Sequence, residues 1–290
     1  MKEIVIISGK GGTGKSSICA ALAYVAKEEL VVADCDVDAA NLHLILKPQN
    51  SEVQDFYSGV LAEIDPQKCS ACGLCQQICR FAAIESFEGK YQVMDMECEG
   101  CGYCYYICPE DAISLVDQNV GKFLVSDTRY GCTLVHAHLG IGADNSGKLV
   151  AKVKSEAKTR AKAQNKPYIL ADGSPGIGCP VIASLAGADY VILVTESSKS
   201  GLSDLKRVQE LVTKFQIPSA CIVNKADINP GVTSDIHKYL SKNKIHHMGD
   251  IPYADDFHKA IAMGRCLVEE NKERWLPIFT NYWQDVKEKI

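Results

Sequence analysis

The sequence predicts a doubly wound α/β fold with a mostly parallel sheet, interrupted by a smaller α+β domain. Helical stretches at residues 15–28 and 202–215 lie among apolar runs that end in small or acidic residues. These runs are "EIVIISG", "LVVADCD", "PYILADG", "YVILVTE" and "SACIVNK". Ligands of such sheets bind at the carboxyl ends of the strands, so the residues that follow each run are the candidates for a binding site.

The composition excludes several broad classes of function. With 290 residues, of which 47% are apolar, the chain can bury a large core, and its net charge of -5 offers no general attraction for nucleic acid or anionic lipid. The first apolar run begins close to Met1, and no apolar run approaches the roughly 18 residues that span a bilayer. We therefore expect a cytoplasmic protein with no nucleic-acid partner and no stable membrane insertion.

The fourteen cysteines indicate metal binding, because disulfides are rare in the cytoplasm. Eight of them lie in two runs, "CSACGLCQQIC" and "CEGCGYCYYIC", and every cysteine of the first run recurs 29 residues later. Gly73 and Gly102 share this offset, as do Ala83-Ile84 and Ala112-Ile113. The sequence therefore predicts a duplicated structural element.

The spacing within each run predicts two 4Fe-4S clusters, since three cysteines of such a run bind one cluster and the fourth binds the other. The segment resembles a bacterial-type dicluster ferredoxin, although Arg80 stands where the first run would usually carry a proline like Pro109. Structural zinc sites would leave the third and fourth cysteines of each run unexplained. We expect one cluster on Cys69, Cys72, Cys75 and Cys108, and the other on Cys98, Cys101, Cys104 and Cys79. The inserted domain is placed at residues 60–118, between an α/β domain formed by residues 1–59 and 119–290.

A phosphate-binding loop is predicted at "GKGGTGKSS", residues 9–17, because a strand, a glycine-rich turn, Gly-Lys-Ser and a helix follow in that order. Lys15 is expected to reach the terminal phosphates and Ser16 to ligate magnesium, while the backbone of residues 11–16 cradles the phosphates. The expected nucleotide contacts are Gly11, Gly12, Thr13, Gly14, Lys15, Ser16 and Ser17.

The string "KGGTGKS" resembles the deviant phosphate loop of the MinD/ParA/nitrogenase-iron-protein class of ATPases. This resemblance implies that Lys10 reaches across an ATP-bridged homodimer to the phosphates of the neighbour. "DCDVDAANL" resembles the first switch of that class, which implies that Asp36 orients the attacking water and that Asp34 lies near the magnesium shell. "DGSPGIG" resembles the second switch, in which Asp172 holds the metal through water.

The adenine site is expected, by the same resemblance, at Asn224 of "IVNKAD" and at Pro252 and Tyr253 of "GDIPY". The string Asn224-Lys225-Ala226-Asp227 also fits the NKxD motif with which GTPases read guanine. We favour ATP, because four residues recur easily by chance while the loop and both switches resemble the ATPase class.

Together these motifs resemble MinD-superfamily ATPases with an inserted ferredoxin domain, which implies an ATP-hydrolysing switch that gates electron transfer to a partner protein. Two alternatives remain open. One is an iron-sulfur carrier or assembly ATPase like the related Mrp proteins, although this chain lacks their separate C-x-x-C pair. The other is a positioning ATPase that uses the clusters as a redox sensor.

Several further features have weaker implications. The spacing between Asp172 and Cys179 resembles that at which the nitrogenase iron protein places a ligand of a cluster that bridges its dimer. Cys132 is a poor candidate for the second ligand of such a cluster. The aromatic residues of "RWLPIFTNYWQDVKEKI" share a helical face that favours packing on the core, although Pro277 is expected to interrupt the helix. The stretch 135–150 also resembles the MinD-superfamily ATPases with an inserted ferredoxin domain. The sequence indicates no mechanism for it. His136, His138, His246 and His247 lack a supporting cysteine or carboxylate frame, so the sequence predicts no metal site on them.

Overall fold

The computed structural model describes residues 1–140 and 146–290, so the middle of the stretch 135–150 lies outside the described residues. The chain divides into two compact units. The first unit contains Met1–Gln54, Lys122–Leu139 and Ser146–Ile290, and the second contains Asp55–Gly121 together with Gly140.

Eleven strands are formed by the described residues. They are β1 (Lys2–Ser8), β2 (Leu30–Asp34), β3 (Gln49–Ile64), β4 (Ile84–Phe87), β5 (Lys90–Val93), β6 (Ile113–Asp127), β7 (Thr133–Leu139), β8 (Tyr168–Pro175), β9 (Tyr190–Glu196), β10 (Ser219–Asn224) and β11 (His246–Ile251). The helices are α1 (Lys15–Ala26), α2 (Leu42–Leu46), α3 (Leu74–Ile78), α4 (Tyr103–Ile107), α5 (Ser146–Ala163), α6 (Cys179–Leu185), α7 (Lys199–Lys214), α8 (Pro230–Lys242), α9 (Asp256–Ala262), α10 (Leu267–Glu270) and α11 (Lys272–Lys289).

The first unit is built on a mostly parallel sheet, which confirms the α/β part of the predicted fold class. Its strand order begins β11-β10-β9-β1-β8-β2-β7, and all six neighbouring pairs in that series are parallel. The parts of β6 from Lys122 and of β3 up to Gln54 extend it. The central strands are buried along nearly their whole length, as expected for a sheet covered on both faces.

The carboxy-terminal helix packs on the core, as its apolar spacing predicts. The buried residues of α11 are Trp275, Phe279, Tyr282, Trp283 and Val286, and they join the core that contains α1. The expectation that Pro277 interrupts the helix is wrong, because α11 continues through it. Proline removes one backbone hydrogen bond from the helix. Burial of these five apolar side chains stabilises the helix by more than that loss costs. None of the helices among residues 1–140 and 146–290 combines the length and the apolar character that crossing a membrane requires.

The second unit contains two copies of one small motif. The short helices α3 and α4 begin 29 residues apart, as do three pairs of residues with positive φ: Ala71 and Gly100, Gly73 and Gly102, and Ala82 and Asp111. Strands β4 and β5 form an antiparallel hairpin. A small core links the two copies through Ala62, Cys75, Ile84, Cys104 and Ile113. The duplicated sequence is therefore also a duplicated backbone.

Candidate functional site

The loop between β1 and α1 presents the start of a helix to the carboxyl edge of the sheet. Gly12 and Gly14 adopt φ angles of 77° and 90°, which favour glycine, and Gly14 is the residue from which α1 begins. No side chain of the described residues caps this helix. The first N-H groups of α1 are therefore left for an anion, and a phosphate group suits them.

Asn224 holds this loop in place from the end of β10. Its side-chain amide is buried and donates a hydrogen bond of 2.8 Å to the carbonyl of Thr13. A Cβ atom at Gly14 would collide with the Nδ2 atom of Asn224. Glycine is therefore required at this position both by its φ angle and by the close approach of the amide.

Lys15 is buried between two carboxylates. Its Nζ atom lies 2.7 Å from Oδ1 of Asp172 and 3.5 Å from Oδ2 of Asp36. Burial opposes the positive charge, but these carboxylates outweigh it and raise the pKa of Lys15. The structure thus brings together the predicted phosphate-binding lysine and the predicted residues of both switches.

Asp34 shapes the segment that carries Asp36. It is fully buried at the end of β2, and its carboxylate accepts hydrogen bonds of 3.2 Å from the backbone N-H groups of Asp36 and Leu42. Burial and the nearby charge of Asp172 raise the pKa of Asp34. Burial also raises the pKa of Asp36, in spite of Lys15. Asp36 and Asp172 beside one ammonium leave an excess of negative charge, which favours a bound cation.

Lys10 lies in a second charged group. Its Nζ atom is 2.6 Å from Oε1 of Glu196 and donates to Oγ of Ser200 at 2.8 Å. Lys225 binds the other oxygen of Glu196 at 3.0 Å and also donates to the carbonyl of Gly12. Although burial alone would raise it, the pKa of Glu196 is lowered by these two lysines. In this structure Lys10 is therefore paired within its own chain.

A cavity of about 600 Å³ opens beside the loop, a size that suits a small-molecule ligand. Seven predicted contacts, Gly11 to Ser17, line it together with Asp36, Asn224 and Tyr253. Pro252 does not belong to this cavity; with Asp227 it lines a separate one of about 480 Å³. The carboxylate of Asp227 accepts a hydrogen bond of 2.6 Å from the backbone N-H of Tyr253, and this bond fixes the turn that contains Pro252.

Sequence reasoning missed part of the cavity wall. It includes Leu44 and Ile45 of α2 and, on α9, Phe257, His258 and Ile261. The spacing of Phe257 and Ile261, four residues apart directly after Tyr253, was an available signal for a helix face turned toward the ligand.

The eight clustered cysteines line two separate cavities of the second unit. Cys79, Cys98, Cys101 and Cys104 line a cavity of about 410 Å³. Cys69, Cys72, Cys75 and Cys108 line a smaller one. Each set therefore combines three cysteines of one repeat with the fourth cysteine of the other.

The thiol groups of these cavities differ in their surroundings. The Sγ atoms of Cys69 and Cys108 accept 3.4 Å hydrogen bonds from the backbone N-H groups of Ala71 and Ala112. Burial raises the pKa of Cys75 and of Cys104, which therefore favour the thiol form until a metal replaces the proton. Four thiolates around each cavity fit the donor set of an iron-sulfur cluster.

Cys132 does not suit a bridging cluster. It is buried in the core of the first unit, and its Sγ atom lies 3.1 Å from Oγ1 of Thr128, whereas Cys179 is exposed. A ligand shared between two chains must reach the surface, and Cys132 does not.

Comparison with known proteins identifies the family. Residues 4–268 match the model of the CobQ/CobB/MinD/ParA nucleotide binding domain. The chain belongs to this family. An uncharacterized protein of Methanocaldococcus jannaschii is 33% identical over 273 residues, which cover 93% of this chain and 91% of that protein.

Solved structures of the CobQ/CobB/MinD/ParA family share this fold. The septum site-determining protein MinD of Pyrococcus horikoshii, complexed with Mg-ADP, has a TM-score of 0.59 at 18% identity, covering 98% of this chain and 95% of that one. A ParA family ATPase of Chlorobium tepidum has a TM-score of 0.57 at 16% identity, covering 98% of each chain. The chain is thus a MinD-like α/β protein with a phosphate-binding loop.

Replacing Gly14 by alanine should damage the nucleotide site. The methyl group would displace the amide of Asn224, and the backbone conformation would become strained by about 1–3 kcal/mol. We expect the free energy of unfolding, measured with urea, to fall by that amount, and the affinity for nucleotide to fall with it.

Gly11→Ala is the matched control on the same loop: its methyl group meets no atom of the described residues within 4 Å, so stability should change by less than about 0.5 kcal/mol. Equal effects of the two variants would contradict the role given to Gly14.

Proposed function

We propose that the protein is an ATP-hydrolysing switch that works as an ATP-dependent homodimer and carries two 4Fe-4S clusters for electron transfer to a partner protein. The observation that carries the ATPase part is the burial of Lys15 between Asp172 and Asp36 at the start of α1. Membership of the CobQ/CobB/MinD/ParA nucleotide-binding family supports it.

The hydrolytic step uses Lys15, Ser16 and Asp36, which line the nucleotide cavity, and Asp172, which is buried and paired with Lys15. Lys15 exchanges its carboxylate partners for the β- and γ-phosphates, while the N-H groups at the start of α1 bind phosphate oxygens. Ser16 would hold a magnesium ion directly and Asp172 through water, and the ion would neutralise charge on the phosphates. Asp36, freed from Lys15, orients the attacking water. The water oxygen bonds to the γ-phosphorus as the bond to the β-γ bridging oxygen breaks, a proton is released to solvent, and ADP leaves. The Mg-ADP bound to the similar MinD structure supports this assignment.

Lys10 completes the site of a second chain in this proposal. A second cation at the γ-phosphate stabilises charge that builds up on the transferring group. The pairing of Lys10 with Glu196 and Ser200 holds the side chain away from its own phosphates until the dimer forms.

The two sets of four cysteines are proposed to bind the clusters. Their donor chemistry and their grouping around two cavities support this, and zinc remains the competing metal. A bound 4Fe-4S cluster supplies one-electron transfer. A carrier or assembly ATPase would instead release its clusters to an acceptor, so clusters that stay bound through many rounds of hydrolysis would favour electron transfer over the carrier role.

The base preference tests the ATPase assignment. Asp227, which would read guanine in a GTPase, accepts a bond from Tyr253 and lines a different cavity from the phosphate loop. We therefore expect ATP to displace a fluorescent nucleotide at lower concentration than GTP does. Asp227→Asn should leave that order unchanged. A clear preference for GTP would overturn the assignment.

Two lysine variants test the mechanism. Lys15→Ala should abolish nucleotide binding, because it removes the only cation buried at the phosphates among the described residues. Lys10→Ala should bind ATP nearly as well as the unchanged protein and lose roughly 1,000-fold in turnover, because its ammonium acts on the neighbour's phosphates. Mixing Lys10→Ala chains with chains inactive through Asp36→Ala should restore part of the activity if Lys10 acts across the dimer. Equal loss of binding in both lysine variants would rule this role out.

Iron content and spectroscopy test the clusters. Protein prepared without oxygen should hold about eight irons per chain, from two 4Fe-4S centres. Cys69→Ser and Cys98→Ser should each lose about half of the iron and alter different electron paramagnetic resonance signals. Cys179→Ser is the control, because this exposed cysteine lines neither cavity. Zinc in place of iron under iron-replete conditions would show that the electron-transfer proposal is wrong.

A further inference from the structure

Three histidines meet in the first unit, beside the nucleotide cavity but not in its wall. His136 and His138 lie two residues apart near the end of β7 and therefore face the same side of the sheet. His43 faces them from α2. One ring nitrogen of each lies within 4.8 Å of the other two, and the ring centroids are 5.1 to 5.8 Å apart.

The ring nitrogens of this cluster have unused lone pairs or N-H groups. The Nδ1 atoms of His43 and His136 are buried, and neither forms a well-aligned hydrogen bond among residues 1–140 and 146–290, although the backbone of Ala40 lies near the ring of His43. The opposite nitrogen of His136 makes only a long contact of 3.4 Å with Oγ of Ser126. Leaving a buried polar atom unpaired costs about 1–3 kcal/mol, so two such atoms in one small cluster require an explanation.

Burial favours the neutral form of these rings. It lowers the pKa of His136 to about 4, with the neighbouring imidazoles adding to the effect, and burial and His138 lower the pKa of His43. Neutral imidazole is the form that binds metals. No proton has to be displaced from His136 at neutral pH.

We propose that His43, His136 and His138 bind one divalent transition-metal ion of the zinc class. Imidazole suits zinc, nickel, copper and iron, whereas magnesium and calcium require oxygen ligands, which this cluster does not supply. Three histidines leave a fourth position of a tetrahedral ion open to water or another ligand. Metal-nitrogen bonds of about 2.0–2.1 Å set neighbouring nitrogens about 3.3 Å apart, so rotations of the rings must close the present gap.

A second histidine cluster lies on the surface and differs from this one in its partners. His237 and His247 both bind Oδ1 of Asp250, at 3.0 and 2.8 Å, on the surface. Their polar atoms already have a partner, and a metal would have to displace it. This second cluster provides a matched control for the experiment.

The site would act on the first switch. His43 is followed on α2 by Leu44 and Ile45, which line the nucleotide cavity, and the helix starts at Leu42, whose N-H donates to Asp34. A metal that ties α2 to β7 therefore restrains one wall of the cavity. By linkage, any change that nucleotide makes in metal affinity must be matched by an equal change that the metal makes in nucleotide affinity.

Cobalt(II) is the probe for the test, because its spectrum separates nitrogen from sulfur ligands. Full-length protein prepared without oxygen and freed of loosely bound metal with a chelator is titrated with Co2+. We expect visible bands of a four- or five-coordinate ion at one equivalent, without the near-ultraviolet charge-transfer band that cysteine ligation produces. His138→Ala, at an exposed position that folding tolerates, should weaken binding at least tenfold, and so should His43→Ala.

His247→Ala should leave the titration unchanged. The proposal is overturned if His138→Ala binds Co2+ as the unchanged protein does, or if the bands disappear in His247→Ala instead. Cobalt held by cysteines without a cluster is recognised by its charge-transfer band and is the same in all the histidine variants. The comparison of these variants therefore depends neither on ATP hydrolysis nor on bound iron, so the proposed function can fail while the metal site stands, and the reverse.

Discussion

The ion pair between Lys15 and Asp172 is the interaction on which the nucleotide site depends. Both partners are almost fully buried, and removing one partner of a buried pair commonly costs about 3–5 kcal/mol because the other charge is left without compensation. The pair exists because β1 and β8 are parallel neighbours, with Ile6 opposite Asp172. The loop after β1 therefore brings its lysine over the carboxylate. Phosphate can replace this carboxylate as the partner of Lys15, and the carboxylates then become available to a cation.

The second lysine is held by a different kind of contact. Lys10 and Glu196 are partly exposed, and ion pairs of this kind contribute only about 0–1 kcal/mol. Lys10 can therefore leave Glu196 at little cost, and Lys225 remains to neutralise the carboxylate. Tight pairing at Lys15 and loose pairing at Lys10 agree with a fixed role for the first residue and a mobile role for the second.

Short runs of sequence predicted the elements of the site, but they did not predict which elements lie side by side in the fold. The phosphate loop and the strands before it and after it depend on short runs of residues, and the mostly parallel α/β fold inferred from them is confirmed. The ferredoxin domain inferred from the spacing of the cysteines stays a prediction. The role of Pro252 at the base stays a prediction, and local sequence could not show that it lines another cavity, because the turn is set by Asp227, which is distant in the chain. The meeting of His43 with β7 was out of reach for the same reason. It requires knowing that β7 pairs with β2, and nothing in either strand specifies that neighbour.

The two cysteine repeats share one backbone, yet they are no longer interchangeable. At Gly100 a side chain would overlap the carbonyl of Val60, whereas its counterpart in the first repeat is Ala71, which already carries a Cβ atom at the same kind of φ angle. The surroundings of the duplicated turns have thus diverged, so that one copy tolerates substitution and the other does not. Mutations should therefore accumulate unequally in the two halves, and a chimera with two copies of the first repeat would fail at this glycine, although all its cysteines would be correctly spaced.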